Sequence, residues 1–519
     1  MKTIIKKITD LKNIKTSVLV SCMTEEYFKN NACNCKKKCN CVLKRAEKNQ
    51  GFKGKEGQIC NVIEPNVNKK YDYVIFVGLG KEKNVNLVSV QKLGETLVSY
   101  LNSNKLKNAT LVVNSQLCCD NKVVCVKKVG SCELDEIVAN IAFGMEMKAY
   151  TFNKYYTGEK LKAKKPKFVE LTISGKNSVK LKEYKTELDL IKENVFFCRD
   201  LVSEPANELT TESYAAKCKE LEKLGLKVEI YGEKKLKEMG AHSLLAVGQG
   251  SDYESKMIIF KWNGAKNKKE KPISFIGKGV VFDSGGISIK PSNGMGDMKG
   301  DMGGSAVVFS LMRLLAMRKA NVNVIGAIGI VENMPSSKAQ RPGDVVKSMS
   351  GQTIEVINTD AEGRMVLADV LYYIEKTFKP KIMIDLATLT GAVVVALGED
   401  NAGLFSLNDS LIKELEVAAK QTGENAWRMP LSELGGAYDK LVDSDIADVR
   451  NTAAAKYSGG GSITAAQFLQ RFTNKHKKWC HIDIAGVADV SRPNFFVNKG
   501  ATGYGVRLLD SLVKNNYEF

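Results

Sequence analysis

Residues 358–364, Asn358-Thr359-Asp360-Ala361-Glu362-Gly363-Arg364, put two carboxylates and a guanidinium within five positions. They follow the apolar stretch Ile354-Glu355-Val356-Ile357 and precede Met365-Val366-Leu367-Ala368-Asp369-Val370-Leu371, whose apolar spacing is helical. The charges therefore read as lying where a strand hands over to a helix, and ligands of open α/β sheets bind at such strand ends. Asp360 and Glu362 are two apart, so on extended backbone they point the same way. Two buried carboxylates facing one point repel strongly unless a cation lies between them.

The chain around this segment has 519 residues, too many for one core, and two or three domains are expected. The fold class read from the pattern is α/β. A smaller N-terminal α/β domain is placed at 1–174. A larger C-terminal α/β domain, with a mixed sheet flanked by helices, is placed at 175–519 and begins with a connecting helix. Strands are predicted at Tyr73–Gly80, Leu111–Val113, Phe168–Ile173, Met257–Trp262, Ile273–Ile276, Val322–Val331 and Ile382–Leu386. The runs of the second part are almost continuously apolar, as in a sheet covered on both faces. Helices are predicted at about 181–202, 305–317 and 365–377.

Two further segments carry charge in apolar, Gly-rich frames. Lys278, Asp283 and Lys290 lie in Gly277–Lys290, read as following the strand that ends at Ile276. Asp301 lies in Asp297-Met298-Lys299-Gly300-Asp301, just before a helix. Such an oxygen-rich set suits Mg, Mn or Zn. With only His242, His476 and His481 in the chain, carboxylates must supply most ligands to any metal. A carboxylate shared between two ions would allow a two-metal hydrolytic site. Each piece also has a plainer reading: Asp283-Ser284-Gly285-Gly286 as a turn, and 360–364 as a helix start with a local ion pair.

At these residues the chain resembles the leucine aminopeptidase (cytosol aminopeptidase) family. Residues 358–364 match that family's signature, with Met365 where Leu is usual. Gly277–Lys290, Met298–Met302, Glu332–Pro335, Arg341–Val345, Ala387–Gly391 and Asp483–Gly486 follow in family order. In the N-terminal part the match rests on Gly51–Gln58 and Val77–Gly80. The resemblance implies a metal-dependent aminopeptidase that releases N-terminal amino acids, leucine and similar apolar residues preferred, from peptide substrates. It implies two divalent ions per subunit (Mn or Zn, with Mg or Co as alternatives). Lys278, Asp283, Asp301, Asp360 and Glu362 would hold them, with Asp283 and Glu362 shared. Lys290 would polarise the scissile carbonyl and stabilise the oxyanion. Arg364 would hold a bicarbonate ion acting as general base for the bridging water. Met298, Thr388, Gly391, Ala485 and Ala488 would line the substrate pocket. Ala488 stands where some relatives have Met, which suggests a roomier pocket. A homohexamer is likewise implied.

The net charge of +19 is concentrated at the N-terminus: residues 1–190 hold 34 Lys and 1 Arg against 19 acidic residues. This allows an additional nucleic-acid-binding regulatory role for the basic domain. The scarcity of Arg and ordinary lysine-rich solvation weigh against it. No apolar run reaches the ~20 residues of a membrane span, and Ser17–Cys22 is too short for a signal-peptide core, so no membrane partner and a cytoplasmic location are expected. Twelve of the 13 cysteines precede position 220, an arrangement that suits free thiols in a reducing compartment. Cys33, Cys35, Cys39 and Cys41 put four soft ligands within nine residues. That cluster reads as a metal or redox site or, its spacing matching no standard zinc module, as a Lys/Cys/Asn-rich insertion.

Overall fold

The structure, a computed structural model, describes residues 1–6, 16–33, 42–63, 71–113, 128–165, 168–174, 177–453, 459–494 and 496–518. Most of the cysteine cluster (34–41), and the side chain of Cys33, lie outside the described residues. Two compact units form: Met1–Lys192 with Phe495–Asn498, and Glu193–Asn494 with Lys499–Phe519.

In the first unit six strands form one sheet: β1 (Lys2–Ile5), β2 (Val18–Thr24), β3 (Ile59–Ile63), β4 (Tyr73–Gly80), β5 (Asn108–Val113) and β6 (Glu170–Ile173). Their order is β1-β6-β5-β2-β4-β3, and only the edge strand β3 runs antiparallel to its neighbour. Every residue of β2 is buried, as expected of a strand covered on both faces. Two helices pack on this sheet, α1 (Leu87–Ser103) and α2 (Leu134–Lys148). They cross closely at glycine: a Cβ on Gly94 would lie 2.1 Å from the Ile141 carbonyl oxygen, and one on Gly144 2.0 Å from that of Gln91. Helix α3 (Ser178–Ser203) carries the chain from one unit into the other.

The second unit is built on β7 (Lys227–Tyr231), β8 (Lys256–Asn263), β9 (Ile273–Asp283), β10 (Asn323–Asn333), β11 (Val345–Lys347), β12 (Thr353–Glu355), β13 (Met383–Ala387), β14 (Ala402–Phe405), β15 (Ala426–Met429), β16 (Val449–Arg450) and β17 (Trp479–Asp483). Eight of these make a mixed sheet, β15-β14-β17-β13-β9-β10-β8-β7. Its centre, β17-β13-β9-β10, is parallel. Helices α4 (Gly303–Met317), α5 (Gly363–Phe378) and α6 (Gly391–Leu397) follow segments that leave this sheet or its neighbour. A separate three-stranded sheet, β11-β12-β16, stands beside it.

Two expectations need correcting. The strand at 273 does not stop at Ile276 but runs to Asp283, so Lys278 lies within β9, opposite Gly329. Gly277 and Gly279, which the sequence pattern places after the strand, lie within it and serve close packing: a Cβ on Gly277 would meet the Ser305 Cα at 2.6 Å, and one on Gly279 the Gly329 carbonyl oxygen at 2.6 Å. Secondly, the strand before residue 358 is only Thr353–Glu355 and belongs to the small sheet, not the large one. Among the described residues no helix is long and apolar enough to cross a membrane, and the cysteines at 22, 60, 132, 198, 218 and 480 are free and buried.

Candidate metal and catalytic centre

β9 delivers the first two side chains. Lys278 and Asp283 are both buried, and a register irregularity between Val280 and Asp283 brings Asp283 opposite Asn333 at the end of β10. Asn333 donates from Nδ2 to Asp283 Oδ1 (2.8 Å) and to the Thr359 carbonyl (3.1 Å), tying the strand end to the 358–364 segment. The chain then turns through Gly285 at φ +88°, where a Cβ would also lie 2.4 Å from the Ser288 carbonyl oxygen, so only glycine fits. Thr359 closes this turn, donating to the Gly285 carbonyl (2.6 Å) and accepting from the Ser288 amide (2.8 Å). Lys290 thereby reaches Asp283 Oδ2 at 2.8 Å and pairs closely with Asp360.

Asp301 directly follows the short 3₁₀ helix Met295–Gly300, immediately ahead of α4. Asp297, four residues earlier, is exposed, whereas Asp301 is buried. Glu362 comes from the residue preceding α5. Its backbone is helical (φ −77°, ψ −36°), so Asp360 and Glu362 do not share a face through extended alternation as the two-residue spacing suggested. Asp360, half-buried, meets Lys290, and Glu362 meets Lys278. The Lys278 ammonium lies 2.8 Å from both Asp301 Oδ1 and Glu362 Oε1, and donates to the Thr388 carbonyl at 3.0 Å. Thr388 also donates its hydroxyl to Asp301 Oδ1 (2.8 Å). Gly363 permits the approach: a Cβ there would be 2.5 Å from Lys278 Cε.

Asp283, Asp301 and Glu362 each offer an oxygen within 4.8 Å of the others'. Burial raises the Asp301 pKa well above the usual carboxylate range, with Lys278 opposing it and Glu362 and Asp283 adding to it. Burial likewise raises Glu362, reinforced by Asp283, and raises Asp360 against the lowering effect of Lys290. For the lysines burial works against the charged form, but the carboxylates more than offset it. Asp301, Glu362 and Asp283 raise Lys278, and Asp283, Asp360 and Glu362 raise Lys290. Four carboxyl groups thus face two ammonium groups in a mostly buried site, and the raised pKa values register the missing positive charge. Buried Asp301 Oδ2 has no hydrogen-bond partner. Both observations fit a site for divalent cations, whose preferred donors are carboxylate oxygens.

Arg364 is buried beside this cluster. It donates from Nη1 to the Asn451 carbonyl (2.7 Å), and its Nε–H has no partner. Burial pushes its pKa down to about 10, with Glu362 and Asp483 working in the opposite direction. It does not form the local ion pair that its spacing from Glu362 allows; its bonded partner is 87 residues away.

The pocket positions gather less tightly. Thr388 and Ala488 both close on Gly303, since a Cβ there would meet Thr388 Cγ2 at 3.2 Å and Ala488 Cβ at 3.4 Å. Met298 lies on the short 3₁₀ helix before Asp301, Gly391 opens α6, and Ala485 donates its amide to Asp483 Oδ1 (3.2 Å). Three supporting residues escape sequence reasoning: Asn333, Asn451 and Asp483. Asp483 accepts from the Leu389 amide (3.1 Å) and the Thr390 hydroxyl (2.6 Å), so it fixes the loop that carries Thr388. The family segments quoted above contain Asn333 and Asp483, but nothing in their spacing marks them as supports.

Fold and site together define a two-domain α/β protein whose larger unit holds a buried carboxylate–lysine–arginine centre fit for divalent metal. Family models agree on both units: the catalytic domain of the cytosol aminopeptidase family matches residues 196–510, and its N-terminal domain matches residues 20–159. A probable cytosol aminopeptidase of Phytoplasma mali is 47% identical over 482 residues, 92% of each chain. One of Rhizobium meliloti is 47% identical over 481 residues, again 92% of each. Among solved structures, a mutant of tomato leucine aminopeptidase superposes with a TM-score of 0.80 at 30% identity, covering 99% of this chain and 97% of that one. The bottromycin maturation enzyme BotP in complex with Mn gives 0.78 at 27%, covering 96% and 99%. The chain belongs to the cytosol aminopeptidase family, whose members are metal-dependent aminopeptidases.

Proposed function

We propose that this protein removes N-terminal residues, preferentially leucine and similar apolar ones, from peptides with the help of two divalent ions such as manganese or zinc. The observation that carries this reading is the meeting of Asp283, Asp301 and Glu362 around Lys278 in a buried, negatively charged centre. Asp283 and Glu362 would be shared between the two ions, Asp360 would complete one site, and Lys278 and Asp301 the other. Bound there, the ions would act as Lewis acids and lower the pKa of water.

The chain's own groups supply the rest. The Lys290 ammonium is held at the rim by Asp283 and Asp360. Once cations take up the charge of those carboxylates, it is free to donate to the scissile carbonyl and to the negative charge that develops on that oxygen. The buried Nε–H of Arg364, left without a partner, would hold a small anion such as bicarbonate, which would take the proton from the attacking water. Thr388 and Ala488, with Met298, Gly391 and Ala485, would receive the first side chain. The hexamer implied by the family resemblance belongs to the same reading.

The test is hydrolysis of a leucyl amide in Mn²⁺ or Zn²⁺ by the wild type and by Glu362→Ala, with metal content measured on both. Loss of one shared carboxylate should lower the bound metal and reduce kcat/KM at least ~100-fold, the scale of a lost electrostatic group at a reacting centre. Equal activity and equal metal content in the two proteins would refute the assignment.

A further inference from the structure

Asn451 follows β16, and its own amide donates to the Glu355 carbonyl at 3.0 Å, continuing the β12–β16 pairing. It is completely buried. Its side chain is used up against one short stretch of chain. Oδ1 accepts from the Ile357 amide (2.8 Å) and the Asn358 amide (3.3 Å). Nδ2 donates to the carbonyls of Asn358 (2.7 Å) and Ala361 (3.4 Å). The orientation of the amide is fixed by its neighbours, because the flipped amide would set donors against two N–H groups and an acceptor against two carbonyls. The Asn451 carbonyl accepts from Arg364 Nη1 at 2.7 Å. One residue therefore clasps the turn that carries Asp360 and leads into Glu362, and also anchors the guanidinium that follows it.

We propose that Asn451 is a positioning residue for Arg364: its side chain locks residues 357–361 to its own backbone, so that the guanidinium is held at a set distance from the carboxylate cluster. This rests on the reading above in which Arg364 takes part in hydrolysis. Only a side chain with two acceptor sites and two N–H donors on one planar group can make these four bonds. Asp keeps the two acceptances and loses both donations, setting its oxygen against two carbonyls. Ala removes the partner of two N–H groups and of the Ala361 carbonyl, and leaves the Asn358 carbonyl with the Ala361 amide alone.

The experiment uses full-length Asn451→Ala, Asn451→Asp, Arg364→Ala and the double variant Asn451→Ala/Arg364→Ala. Leucyl-amide kinetics, bound Mn²⁺ and hydrogen exchange of the peptide spanning 354–366 are measured on each. Asn451→Ala should lower kcat about 10- to 100-fold, the scale expected for a misplacement of ~1 Å. KM and bound Mn²⁺ should stay within a few-fold of wild type, and the 354–366 peptide should exchange faster. Asn451→Asp, which keeps both acceptances but sets an oxygen against two carbonyls, should also lower kcat and speed exchange at 354–366, and it carries the test if the alanine variant does not fold. In the Arg364→Ala background the same substitution should cost less than about threefold further in kcat, because residues acting as a unit are not additive. A full additional loss there, or unchanged exchange at 354–366 in both Asn451 variants, overturns the proposal. Wild-type activity in Arg364→Ala would instead refute the role given to Arg364, and the exchange measurement would still decide whether Asn451 holds the turn.

Discussion

Gly363→Ala should damage this protein in a way that no helix-forming scale anticipates. Gly363 is the first residue of α5 and takes helical backbone, so alanine there should favour folding by ~0.5–1 kcal/mol. The new Cβ, however, would stand 2.5 Å from Lys278 Cε and 2.6 Å from Cδ and Nζ. Carbon atoms in good contact sit ~3.5–4.0 Å apart, so the lysine must retreat by ~1 Å. It has no slack, because Nζ is 2.8 Å from Asp301, 2.8 Å from Glu362 and 3.0 Å from the Thr388 carbonyl. Separating a buried ammonium from its carboxylates costs ~3–5 kcal/mol. Less the helical gain, a net loss of ~2–4 kcal/mol is expected in metal-free protein.

Urea unfolding of the metal-free chain measures that loss, and leucyl-amide hydrolysis at saturating Mn²⁺ should fall ~100-fold for a group of the proposed centre displaced by ~1 Å. The cause can be isolated. In a Lys278→Ala background the space is vacant, so the same Gly363→Ala change should stabilise the protein by up to ~1 kcal/mol. If Gly363→Ala alone leaves stability within ~0.5 kcal/mol of wild type and activity within threefold, or if it destabilises the Lys278→Ala protein equally, then Lys278 is not what makes glycine necessary here.

Two further outcomes follow from other parts of the larger unit. Ala488→Met adds bulk where Ala488 and Thr388 converge on Gly303, so kcat/KM for phenylalanyl amide should fall ~10-fold or more relative to leucyl amide. A panel in which wild type and variant rank leucyl, methionyl and phenylalanyl amides identically, or in which the wild type prefers glycyl or alanyl amide, would remove Ala488 from the pocket. Asp369 is buried in α5 and accepts from the Leu244 amide (2.9 Å) and the Met349 amide (2.7 Å). Burial nonetheless raises its pKa to about 7, against the lowering effect of those N–H donors. Its folded pKa exceeds the unfolded one, so the folded state binds the extra proton between about pH 4 and 7, and the associated stability declines as pH rises through that window. Asp369→Asn cannot titrate, so its stability deficit against wild type should shrink from pH 5 to 7.5 in urea unfolding. A deficit independent of pH would show that Asp369 is ionised throughout.

The groups that carry charge into the site were legible because their neighbours announce them. Lys278, Asp283 and Lys290 stand out in an apolar, Gly-rich run, and Asp360, Glu362 and Arg364 are crowded at a junction. The path of the chain between them was harder to read. Gly277 and Gly279 looked like the end of a strand because their packing reasons, the backbones of Ser305 and Gly329, are 28 and 50 residues away. Spacing also suggested that Asp360 and Glu362 act as a facing pair. In the structure residue 362 has already entered helical backbone, and each carboxylate pairs with a different lysine.

Least visible were the supports, and the reason is electrostatic. A buried centre with four carboxylates against two ammonium groups would spring apart if its frame added more charge. Much of the frame is accordingly neutral: Asn333 spans Asp283 and Thr359, Thr359 closes the Gly285 turn, and Asn451 clasps 357–361. Each satisfies donors and acceptors together without altering the net charge that a divalent ion must meet. Asp483, an acidic support, spends its oxygens on the Leu389 and Ala485 amides and the Thr390 hydroxyl. A lone asparagine bonding across 26 to 93 residues leaves no local period or spacing. Such residues become apparent only when every buried amide and carbonyl around the site is assigned a partner.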